Sequence, residues 1–70
     1  MSEVQAVIFD INKYNTKEAR KWLKDNNYNP KKRVHKTENY LRYRIEEPEQ
    51  YKRLRTKDLK NGVKLILGFK

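Results

Sequence analysis

The apolar positions of this chain are gathered into short segments, and each segment has its own period. In residues 3–9, EVQAVIF, the alternation sets Val4, Ala6 and Ile8 against Gln5, Val7 and Phe9, so both faces are largely apolar. A short run that is apolar on both sides and rich in β-branched residues predicts an interior β-strand. The next stretch, DINKYNTKEARKWLKDNN, changes to a helical period. Asn15 or Thr16 suits the N-cap. With Asn15 as cap, Glu18 stands at the third helical position, the spacing of a capping box, and Tyr14 is placed to staple onto Ala19. The predicted helix runs from about Thr16 to Asn26. At about 100° per residue, Ala19, Trp22, Leu23 and Asn26 share one side, and Lys17, Arg20, Lys21 and Lys24 form a stripe on the other. The apolar stripe is narrow, so the Trp22 indole is expected to supply most of its buried area. Asn26-Asn27 suits a left-handed cap and Pro30 cannot continue a helix, which ends the element.

Beyond the helix the period becomes two. KKRVHKT reads as a weak exposed strand or an extended linker. ENYLRYRIEE is a stronger strand, with Leu41, Tyr43 and Ile45 on one face and Tyr40, Arg42 and Arg44 on the other, closed by Pro48. PEQY fits a single helical turn. RLRTKDL and VKLILGF are joined by Lys60-Asn61-Gly62, and Asn-Gly between extended runs is a specific hairpin signal. In the last run Val63, Leu65, Leu67 and Phe69 face one way, with Lys64, Ile66 and Gly68 opposite. The order predicts one α+β domain over residues 1–70: a single small antiparallel or mixed sheet of three to five strands with one helix packed on one face, in β-α-β-β-β order. One helix covers one face only. The other is expected to be open, lined by Tyr40, Arg42 and Arg44 together with Arg53 and Arg55 from a neighbouring strand.

Composition bears on partners more than on fold. With 70 residues there is room for one core, near the size at which a core alone becomes marginal. No cysteine is present, so neither a disulfide nor a thiolate metal site contributes, and packing has to suffice. Eighteen Lys and Arg against nine Asp and Glu give a net charge of +9, which favours polyanions: nucleic acid, an acidic protein surface or an anionic membrane. The chain starts without a basic segment followed by a long apolar one, and no apolar run approaches a membrane span. A soluble intracellular protein is the expectation. A membrane-surface helix is disfavoured because Ala19, Trp22 and Leu23 are needed for the core.

Catalytic chemistry has few candidates. His35, the single histidine, sits in a basic stretch and reads as an exposed strand residue. Asp10, Asp25 and Asp58 fall at the ends of predicted elements, where aspartate caps or turns. Glu46, Glu47 and Glu49 surround Pro48 and read as a solvated loop that balances the arginines. Gly62 and Gly68 make no phosphate loop, because no glycine-rich turn opens a helix after a strand. The expectation is a protein that is not an enzyme and takes neither metal nor cofactor.

The positive feature is arginine interleaved with tyrosine. Guanidinium groups grip phosphates in a fork and stack on bases, and tyrosine offers a stacking surface, as on sheet platforms that hold single strands. The plainer alternative is that arginine stems merely cover a sheet face while their heads stay hydrated.

Several pieces together resemble a short domain of bacteriophages and large DNA viruses that usually has no assigned function. They are VQAVIFD; Ala19, Trp22 and Leu23 in the helix; Tyr43-Arg44 with Pro48; Arg55-Thr56; and Gly62-Val63-Lys64 with Gly68. The resemblance spans nearly the whole chain. It implies a viral setting, in the host cytoplasm or the virion, and the same small α+β fold, and brings no activity with it. Two functional expectations follow. The first is a basic non-enzymatic module that binds DNA or RNA through Tyr40, Arg42, Arg44, Arg53 and Arg55. The alternative is a protein-interaction module, such as a virion component or a binder of an acidic host protein, which uses the same face or an exposed strand edge.

Overall fold

The computed structural model describes residues 2–30, 33–59 and 61–70. Lys31 and Lys32 of the KKRVHKT stretch, and Lys60 of the predicted turn, lie outside them. The order of elements is β1 (Ser2–Asp10), α1 (Thr16–Asp25), β2 (His35–Lys36), β3 (Tyr40–Arg44), a 3₁₀ turn (Pro48–Gln50), β4 (Arg53–Asp58) and β5 (Val63–Phe69). The five strands form one antiparallel sheet in the order β2-β3-β1-β5-β4, with α1 against one face. This is the small α+β fold that the periodicities predict.

β1 lies in the middle because both of its faces are apolar. Its even alternation is broken at Gln5: Val4 pairs with Leu67 but Ala6 with Ile66, so β1 carries one extra residue against β5. The bulge returns Val4 to the side of Val7 and Phe9, whereas strict alternation would put it with Ala6 and Ile8. Gln5 itself is fully buried. Its side-chain Nε2 donates to the Glu46 carbonyl at 2.8 Å, and its main-chain carbonyl accepts the Ile45 and Glu46 amides at 2.8 and 3.0 Å. A polar residue is tolerated there because it organises the chain leaving β3.

The core lies between α1 and the face bearing Val7, Phe9, Leu41, Tyr43, Ile45 and Val63, closed by Ala19 and Leu23. Phe9 is its centre. Tyr14, Trp22 and Tyr43 meet it with ring centroids at 5.1, 5.6 and 5.7 Å, the latter two edge-on. Trp22 is only half-buried, and Leu23 rather than the indole is the deeply buried side chain of the helix. The reason is that Trp22 lies at the flank of the helix, between the Phe9 edge and the stacked ring of Tyr28.

The opposite face is open only in part. A Cβ on Gly68 would stand 2.5 Å from the Tyr51 ring, so glycine is what lets that ring lie flat on β5. Tyr51 is buried in consequence, and the segment from Glu46 to Tyr51 covers one end of the face.

Candidate nucleic-acid interface

β3 alternates buried Leu41 and Tyr43 with half-exposed Tyr40, Arg42 and Arg44. Its start is held by a turn in which the Thr37 amide donates to the Tyr40 carbonyl at 2.9 Å and the Tyr40 amide donates to Thr37 Oγ1 at 3.1 Å. Directly opposed residues of an antiparallel ladder share a face, so the register tells what surrounds the arginines. Arg42 lies opposite His35 of β2 on one side and Ile8 of β1 on the other, and Ile8 in turn lies opposite Lys64 of β5. His35, Arg42, Ile8, Lys64 and, opposite Lys64 on the remaining strand, Asp58 thus form one row across the sheet, of which the stretch from His35 to Lys64 spans roughly 14 Å at ordinary strand spacing. Tyr40 stands one step along β3 opposite Asp10, and Arg44 one step the other way opposite Ala6.

The charges in this region are not equally available. Arg44 Nη1 lies 3.7 Å from a Glu47 carboxylate oxygen in a largely exposed pair, which is worth at most about 1 kcal/mol and is weakened by salt. Asp10 is engaged in the β1–α1 turn, where its Oδ1 accepts the Asn12 amide at 2.9 Å. Beside Tyr40 the face dips into a depression of about 440 Å³, where Lys13 and Lys64 are balanced by Asp10 and Asp58. At the far end, burial, with the Glu3 and Glu46 carboxylates nearby, raises the Tyr51 hydroxyl above its ordinary value. Lys70 is bonded to Glu3 at 3.0 Å and is also shifted upward. Tyr51 is therefore a packed ring that offers no stacking surface.

Two of the five predicted interface residues stand elsewhere. Arg53 pairs with Phe69 and Arg55 with Leu67, which places them on the side of the sheet that carries α1. β4 is moreover separated from β3 by β1 and β5. The expectation of a single face holding all five residues fails on both counts: β4 is not the neighbour of β3, and its odd-numbered side chains point to the other side. In exchange, the register brings His35 and Lys64 to Arg42. The sequence shows that Lys64 opposes the apolar side of its strand, but the adjacency of β5 to β1 carries no local signal.

A second basic surface lies on the helix side. A groove of about 780 Å³ has Arg20, Lys24 and Arg33 on its rim and Leu23, Tyr28 and Tyr43 in its floor. Its rings are already occupied, Tyr28 against Trp22 and Tyr43 edge-on to Phe9. Burial raises the Tyr43 hydroxyl, an effect that Arg20 partly opposes.

Among the described residues no cluster of three or more His, Asp or Glu is placed to hold a metal ion, and no helix is long and apolar enough to cross a membrane. Comparison of the chain with protein-family models, curated proteins and solved structures gives no match.

Proposed function

We propose that the protein is a small non-enzymatic module, of the viral type that its sequence resembles, which binds single-stranded nucleic acid on the β3 side of the open sheet face. The observation that supports this reading is the row His35, Arg42, Ile8 and Lys64, flanked by Tyr40 and Arg44. Arg42 and Arg44 contact phosphates, Tyr40 stacks on a base, half-exposed Ile8 gives an apolar floor beside them, and Lys64, balanced by Asp10 and Asp58, borders the site. Arg53 and Arg55, on the other side of the sheet, have no part in this site.

The test is a titration with a labelled single strand at several salt concentrations. Each phosphate contact on a single strand contributes a slope of about 0.7 in log affinity against log salt. Replacing Arg42 and Arg44 together by Gln should lower affinity about tenfold or more at low salt and flatten the slope by about 1.4, two contacts' worth. Replacing Lys17 with Lys24, or Arg53 with Arg55, should do much less. Equal losses from all three pairs would mean diffuse attraction to a +9 chain, and the site would be abandoned.

A further inference from the structure

The two edges of the sheet differ. β2 is two residues long and too short to template another strand. β4 runs for six residues, each one exposed, in unbroken register with β5 and without a proline. Natural edges are blunted by shortness, bulges, proline, a covering segment or charged side chains, and of these β4 has only its charges, Arg53, Arg55, Lys57 and Asp58. The Leu59 amide donates to the Val63 carbonyl at 2.9 Å. By the alternation of an antiparallel ladder, odd-numbered residues of β4 then turn their main-chain groups toward β5, and Leu54 and Thr56 turn theirs outward. Arg53, Arg55 and Lys57 stand on one face opposite Phe69, Leu67 and Leu65, with no carboxylate across from them. Leu54, on the other face, is 43% exposed, the one large apolar side chain so exposed among the described residues.

A second copy of this chain does not fit the edge. A two-fold axis between antiparallel copies keeps each side chain on its own face, so odd residues meet odd ones. Centred on Arg55, the pairing sets Arg55 against Arg55 and Arg53 against Lys57; centred on Thr56, it sets Arg55 against Lys57. Like charges directly opposite are destabilising in either register. The same three cations that repel a copy attract an acidic strand.

We infer that the β4 edge accepts, as a sixth strand, an extended acidic segment of another protein, with carboxylates at alternate positions opposite Arg53, Arg55 and Lys57 and small apolar residues between them. The outward groups of Leu54 and Thr56 give main-chain hydrogen bonds, and the alternating charge gives selectivity. This surface shares no residue with the nucleic-acid site, so either reading can fail alone.

The probe is a labelled peptide that alternates Glu with Val or Thr, compared with a shuffled peptide of the same composition in which the Glu residues are grouped. The alternating peptide should bind more tightly by tenfold or more and slow amide hydrogen exchange at Leu54 and Thr56. Reversing Arg53→Glu and Arg55→Glu together should weaken it at least tenfold. Thr56→Pro removes an outward N–H while keeping the ladder to β5, and should abolish the protection of Leu54. The Arg42→Gln and Arg44→Gln pair should leave peptide binding unchanged. Equal binding of the shuffled peptide, absent protection at Leu54 and Thr56, or a loss from the Arg42 and Arg44 pair as large as from the reversal would each overturn the inference. So would protection of those amides by single-stranded DNA as strong as by the peptide, which would make the edge a nucleic-acid surface.

Discussion

Phe9 has no exposed surface, and three of the chain's aromatic rings pack around it. Its importance is legible in the sequence only as membership of an apolar strand; that Tyr14, Trp22 and Tyr43 converge on it depends on how α1 crosses β1 and β3. The relative weight of Trp22 and Leu23 was likewise hidden, because helical periodicity places both on the apolar side without saying which one faces straight down. The structure gives that position to Leu23, 1% exposed. Leu23→Ala should therefore cost about 2–5 kcal/mol. Trp22→Ala should fall at or below the ~3 kcal/mol lower end for a buried aromatic residue, since part of the indole is already in water. Urea denaturation of the two variants checks the order, and a larger loss from Trp22→Ala would mean that the helix is rotated about its axis relative to the sheet.

Local elements were the most legible, because their signals are carried by neighbours in sequence. Asn15 accepts the Glu18 amide at 2.8 Å while the Glu18 carboxylate accepts the Asn15 amide, the reciprocal box that the spacing predicts. At the other end Asn27 has φ +63°, the Tyr28 amide donates to the Leu23 carbonyl at 2.8 Å and the Asn27 amide to the Lys24 carbonyl at 3.1 Å. That is a Schellman motif, with Tyr28 stacked back on Trp22 as its apolar contact. The β4–β5 turn was legible for the same reason: Asn61 and Gly62 have φ of +57° and +83°. Gly62 carries a further demand that no turn rule foretells, since a Cβ there would lie 2.8 Å from Lys13 Cδ and 3.2 Å from Asp10 Cβ of the β1–α1 connection. Gly62→Val should accordingly destabilise the protein by about 2–3 kcal/mol, from backbone strain at positive φ plus the crowding. A denaturation midpoint within error of wild type would show that the turn tolerates another geometry. What was not legible is the order of strands. Face parity within β4 and β5 could be read residue by residue, yet which strand lies beside which is decided by contacts distant in sequence. Grouping Arg53 and Arg55 with Arg42 failed at that step.

At the scale of the whole molecule, the resolved titration shifts all concern groups that lose protons in alkali. Tyr43 and Tyr51 are raised in the folded protein above the ordinary tyrosine value of about 10. Between that value and their folded values the unfolded chain binds fewer protons than the folded one, so stability falls as pH rises. Their contribution is complete below about pH 10 and is lost as pH climbs through the folded values. Melting temperature followed from pH 8 to pH 11.5 should drop beyond about pH 10, and Tyr51→Phe should make the drop shallower. An unchanged slope in that variant would place the sensitivity in Tyr43 or in exposed groups such as Lys70. The sheet order has a consequence in time as well. β1 is made before the other strands of the sheet yet occupies its centre, and Ser2 pairs with Phe69, which follows it by 67 residues. β4 in turn has β5 as its neighbour in the sheet, so the arginine-bearing edge has nothing to pair with until the strand that follows it arrives. Pairing over such separations closes long loops before it is rewarded, which places folding on the slow, millisecond-to-second side despite the small size of the domain. Since β5 follows β1, α1 and β3 in the chain, the β5 side of the central strand has no native partner until those last residues are made, an interval in which it is open to the wrong neighbour.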